Sequence, residues 1–195
     1  MKKIKYIILT GFLLISVAAS AQWYIGIKAG PTFSNYKSKT PWKEVANTGL
    51  HAGLTSYRQL TPSLGVHAEF QFVKKGYFHK VCNTIYDKLE ANYLEVPLMV
   101  DYGFIVPALK NVKAHITVGM YGAFWMSGKY LSRIDDEAIS QDFDFKNNNA
   151  KRFDAGPNAG GRIEYVLHHA SVSLDFRYEM GLIDLENKIH DNTTN

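Results

Sequence analysis

The stretch NYLEVPLMVDYGF, Asn92 to Phe104, decides the fold. Leu94, Val96, Leu98, Val100 and Tyr102 fall on one side of an extended chain. Tyr93, Glu95, Pro97, Met99, Asp101 and Gly103 fall on the other. Successive side chains of a strand alternate faces, so one face is apolar and the other carries two carboxylates. A strand of a soluble sandwich can also look like this. Repetition along the chain separates the two readings.

Six further stretches alternate in the same way: 23–33, 49–60, 64–72, 114–126, 153–167 and 171–182. In the first, Ile25, Ile27 and Ala29 oppose Gly26, Lys28 and Gly30. In the last, Val172, Leu174, Phe176 and Tyr178 oppose Ser173, Asp175, Arg177 and Glu179. The connections alternate too. Long polar ones at 34–48, 79–88 and 127–152 are separated by short ones at 61–63, 105–113 and 168–170. Outer-membrane barrels have short periplasmic turns and long external loops, with an apolar face turned to lipid. The pattern predicts an all-β, antiparallel up-and-down transmembrane β-barrel. Leu94, Val96, Leu98, Val100, Leu174 and Phe176 are expected to face lipid. Aromatic pairs such as Trp23 and Tyr24, Tyr102 and Phe104, and Trp125 and Tyr130 are expected in interfacial belts.

The first 21 residues are expected to be a secretory signal peptide, with the barrel domain at 22–195. Lys2, Lys3 and Lys5 precede an apolar run that ends at Ala19-Ser20-Ala21. Those three lysines, with no acid among residues 1–21, reduce the formal charge of +4 to 4 − 3 = +1 for the remainder. The basic balance therefore gives no support for a nucleic-acid partner. Cys82 is the single cysteine, which excludes an internal disulfide. Beyond residue 21 no apolar run reaches the ~18 residues of a membrane helix.

Two features run against the pattern. Pro97 and Pro157 lie inside strands and each removes a ladder donor, so a bulge or a loosening is expected at each. The strands also number seven, whereas bacterial single-chain barrels are even-numbered from about eight. An eight-stranded type with its final strand missing, and so a truncated sequence, is the expectation.

YIGIKAGPTFS near the start, the central YLEVPL, VGMYGAF and SVSLDFRYEMGL resemble the Bacteroidota outer-membrane barrel family labelled "porin family" or PorT family. The resemblance covers about residues 23–185. It implies an eight-stranded barrel, export, and assembly into outer-membrane lipid by the barrel-assembly machinery. It implies no catalytic residues and no cofactor.

The inward face carries Lys28, Arg162 and Arg177 with Glu69, Glu95, Asp101, Asp154, Glu164, Asp175 and Glu179. A lumen this narrow is just filled by side chains, so these groups are expected to form a paired plug. His51, His67 and Glu69 share a wall but form no known metal motif. Asp135, Asp136, Glu137, Asp142 and Asp144 lack the spacing and glycine of a calcium loop. Ser127 and His115 share a strand without a third catalytic partner. The leading expectation is a non-enzymatic, plugged barrel that displays its long loops to an unknown external partner. Alternatives are a narrow porin-like channel or accessory barrel of a secretion machine, and a soluble secreted ligand-binding barrel.

Overall fold

The computed structural model describes residues 23–35, 43–80, 85–107, 109, 111–134, 137–145, 151–168 and 170–182. The expected signal peptide, Cys82, Asp135, Asp136 and His169 lie outside them. Nine strands are described: β1 Trp23–Ser34, β2 Lys43–Val45, β3 Asn47–Gln59, β4 Leu64–Lys80, β5 Ile85–Ile105, β6 Val112–Ile134, β7 Glu137–Asp142, β8 Phe153–Val166 and β9 Ser171–Glu179. All pair antiparallel in one sheet. Its main path runs β1-β3-β4-β5-β6-β8-β9, with β2 added to β4 and β7 to β6. Each main strand thus lies beside its successor, the up-and-down order of a barrel. Among the described residues no ladder joins β1 to β9.

The face parity follows the sequence alternation. On β5, Leu98 is 59% exposed while Glu95 and Asp101 are 0% exposed. On β6, Ile116, Val118 and Met120 point outward; His115, Thr117 and Tyr121 are buried. Leu174 and Phe176 stand outward on β9. Apolar groups outside and carboxylates inside invert a soluble core. An apolar belt this continuous needs an apolar environment to cover it.

The sheet curls inward over glycines. A Cβ on Gly53 would meet Phe70 O at 2.3 Å, one on Gly119 Leu98 O at 2.0 Å, and one on Gly160 Phe176 O at 2.2 Å. All three fall on the inward parity of their strands, where curvature brings neighbouring backbones closest. Gly119→Ala is therefore expected to destabilise the assembled barrel by ~1–3 kcal/mol, through forced separation of β5 and β6. Denaturant unfolding in lipid checks this.

The prolines behave differently from one another. At Pro97 the β4–β5 ladder skips Glu69 and Phe70 and resumes in the same register, a loosening. At Pro157 the β6–β8 register is unbroken, and its carbonyl accepts from Met180 N. The register shift lies elsewhere, between Asn92 and Tyr93, where Met126 is the extra residue of β6. This bulge sits where the chain leaves the apolar belt.

The long connections need a correction. The stretches 79–88 and 127–152, expected as loops, largely continue the ladders: Lys80 pairs with Tyr86, and Ile85 with Ile134. β7 adds a further strand by pairing with the end of β6. Strands β4 to β7 therefore project beyond the belt as a sheet wetted on both faces. Polar residues on both faces erase the period-2 hydrophobic signal.

Candidate functional site

The inner face carries the polar chemistry of the described residues, and the ladders stack it in tiers. Nearest the short turns, Asp101 of β5 meets β6 and β8. His115 Nδ1 lies 2.7 Å from Asp101 Oδ1, and Arg162 Nη2 donates to Asp101 Oδ2 at 2.7 Å. The other imidazole nitrogen, Nε2, lies 3.1 Å from Glu164 Oε2. A wholly buried carboxylate is thus held by two partners from separate strands.

The second tier joins the two ends of the sheet. Glu69 of β4 accepts from Lys28 Nζ of β1 at 2.9 and 3.0 Å. Arg177 of β9 donates to the same carboxylate at 2.7 and 2.8 Å through both terminal nitrogens. A bidentate guanidinium pair is strong and directional. One carboxylate therefore draws the first and last strands of the path to a common point.

The third tier centres on Lys75 of β4. Its ammonium donates to Glu95 and, at 2.9 Å, to Glu179 Oε2. It also lies 4.6 Å from the ring centroid of Tyr121. Gln71 Nε2 donates to Glu95 Oε1 at 2.7 Å, and the Tyr121 hydroxyl donates to Asp154 Oδ2 at 2.9 Å. Lys75, His115, Gln71 and Tyr121 join a network anticipated from charged residues alone. Lys75 keeps the inward parity of Glu69 and Gln71, and that parity was the available signal. Asp175 shares the inward parity of β9 but remains exposed.

Above the tiers sits an aromatic cap. Trp125 is 3% exposed and points into the lumen, which corrects its expected place in an interfacial belt. It stacks on Tyr93 at 5.8 Å. Phe143 and Phe145, beyond β7, fold back onto it at 4.6 and 4.9 Å. Arg152 covers Phe145 at 4.2 Å and donates from Nη2 to Met126 O at 2.8 Å. The cap lies at the long-connection end. Lumen space remains beside β1 and β9 and is lined by Lys28, Arg177 and Gly181, among others.

The other candidate constellations do not assemble. His67 Nε2 bonds the Thr55 hydroxyl, while Glu69 is occupied by Lys28 and Arg177. Among the described residues no three His, Cys, Asp or Glu side chains group as metal ligands would. Ser127 and His115 lie 12 positions apart on one strand, about 40 Å of extended chain.

A single curled antiparallel sheet, apolar outside and ion-paired within, defines the transmembrane β-barrel class. The chain belongs to the outer membrane protein beta-barrel domain family, whose model matches residues 18–187. No curated protein matches the chain. The soluble-barrel alternative requires the faces of β5 to be exchanged, and they are not.

Proposed function

We propose that this protein is a non-enzymatic barrel of the outer membrane, of the "porin family" or PorT type, that presents an external sheet lobe to a partner. The observation that carries this reading is the pairing of the inner face with the aromatic cap. Ion pairs cross the lumen in tiers, and Trp125, Tyr93, Phe143 and Phe145 pack against one another at its outer end. Such an interior suits a scaffold, and a pore would need an open, wet path. Residues 1–21 serve as the export signal, and the barrel-assembly machinery and outer-membrane lipid are the partners of biogenesis. No cofactor takes part.

A second reading, a narrow channel or an accessory barrel of a secretion machine, draws on the lumen space beside β1 and β9. Planar-bilayer recording of the full chain distinguishes the two. The scaffold reading expects no steady current from the native protein. It expects discrete openings from the double variant Phe143→Ala/Phe145→Ala, which uncovers Trp125. Native current steps as large as those of the double variant would establish the channel reading.

A further inference from the structure

The outward face changes character from one row to the next at the long-connection end. Phe72 of β4, Leu94 of β5, Phe124 of β6 and Phe153 of β8 stand in register as one apolar row. The next outward row along the same ladders is Lys74, Asn92 and Ser127. Beside it, Arg152 immediately precedes β8. Its Nε donates to Trp125 O at 3.2 Å and its Nη2 to Met126 O at 2.8 Å. The guanidinium also lies 5.1 Å from the centroid of the outward Phe124 ring, which sets its charge on the rim of the belt.

Each of these four side chains offers N–H or O–H donors, and none is a carboxylate. Lys74 is exposed, and its ammonium has no partner among the described residues. Asn92 Nδ2 donates to Ser127 Oγ at 3.0 Å, which leaves the hydroxyl hydrogen to donate elsewhere. One row farther out the signs mix: Lys88 donates to Glu90, and Lys129 stands between Glu90 and Asp142 in the ladders. Three strand spacings place the backbones of Lys74 and Arg152 about 14 Å apart. Arg152 is pinned by its two carbonyls, so the row suits two anionic groups joined by a polar spacer better than one. Long connections mark the external side of barrels in this class, and cations beside an apolar belt meet lipid headgroups.

We propose that this row binds the headgroup of a phosphorylated glycolipid in the outer leaflet. One phosphate accepts from Lys74, a second from Arg152, and sugar hydroxyls lie over Asn92 and Ser127. The inference rests on the reading of the chain as an outer-membrane barrel.

The test is native mass spectrometry of the full chain, assembled as a barrel in detergent micelles and titrated with diphosphoryl lipid A. Saturable retention is expected, and the same lipid stripped of both phosphates should bind about tenfold more weakly. Lys74→Gln and Arg152→Gln should each weaken retention about fivefold, and Lys129→Gln should leave it unchanged. Lys74 takes no part in the aromatic cap, so its variant carries the test should Arg152→Gln disturb the fold. Equal binding of the stripped lipid overturns the inference, as does unchanged affinity in Lys74→Gln. Phosphatidylglycerol retained as tightly as lipid A also overturns it, by showing a surface that takes any anionic headgroup. Failure of the native chain to assemble as a barrel would instead remove the outer-membrane reading beneath it.

Discussion

Leu98→Arg is expected to prevent assembly into the outer membrane. Leu98 lies mid-strand on β5, 59% exposed, and pairs with Ala68 of β4 and Met120 of β6, both on the outward face. A guanidinium on the lipid face near the bilayer midplane costs ~2–4 kcal/mol. That is a large part of the 5–15 kcal/mol or so that typically separates folded from unfolded chains. The readout is the fraction of chain that migrates as a compact, heat-modifiable species after refolding into lipid. The same substitution at exposed Gln141, on the projecting β7, should leave that fraction unchanged. Normal assembly of Leu98→Arg would contradict the lipid-facing assignment.

Glu69→Gln should be nearly as severe by a different route. It leaves the Lys28 ammonium and the Arg177 guanidinium facing one another without their shared carboxylate. Removing one member of a buried ion cluster typically costs about 3–5 kcal/mol, because the remaining charge stays desolvated. Here the loss also releases the tie that links β1 and β9 through β4. Urea unfolding in lipid vesicles should show the midpoint reduced. Combining Glu69→Gln with Arg177→Gln should restore part of it, since the double variant leaves one uncompensated cation instead of two. If the double variant loses as much as the two single losses summed, the three groups are energetically independent and the tie is not real.

The face of each main strand was legible in the sequence because a period of two is a local property. Leu94 to Val100 declare it over seven residues, and the ladders only had to preserve it. The inward charges followed from the same parity. Lys75 was not singled out, because the apolar pattern of β4 fades at Val73, where an inward valine meets an outward Lys74. The projecting sheet was illegible for a related reason. With water on both faces, neither needs to be apolar. Composition grouped Trp125 with the aromatics of the membrane edge, whereas its parity on β6, shared with His115, Thr117 and Tyr121, already turned its ring inward. Its cap partners did leave a trace. Phe143 and Phe145 are two apart in an otherwise polar run, Gln141-Asp142-Phe143-Asp144-Phe145, so an extended chain aims both rings the same way.

The acidic excess of the lumen was readable as a count, but its distribution was not. Which carboxylates gain two cations and which keep an open oxygen depends on strand stagger. Glu69 gains Lys28 and Arg177 across the curled sheet, at sequence separations of 41 and 108. Among the described residues, Asp154 gains the Tyr121 hydroxyl on one oxygen and no hydrogen bond on the other. No local spacing rule relates such pairs.

The central claim is that even-numbered residues of 94–100 meet lipid and odd-numbered ones meet the lumen. A nitroxide scan tests it most directly, with single cysteines placed at each of these positions in a Cys82→Ser background and the protein assembled in lipid. Collision with oxygen, which concentrates in the bilayer, should peak at 94, 96, 98 and 100 and fall at 95, 97 and 99. A polar relaxing agent that reached the even positions more readily than the odd ones would contradict the account.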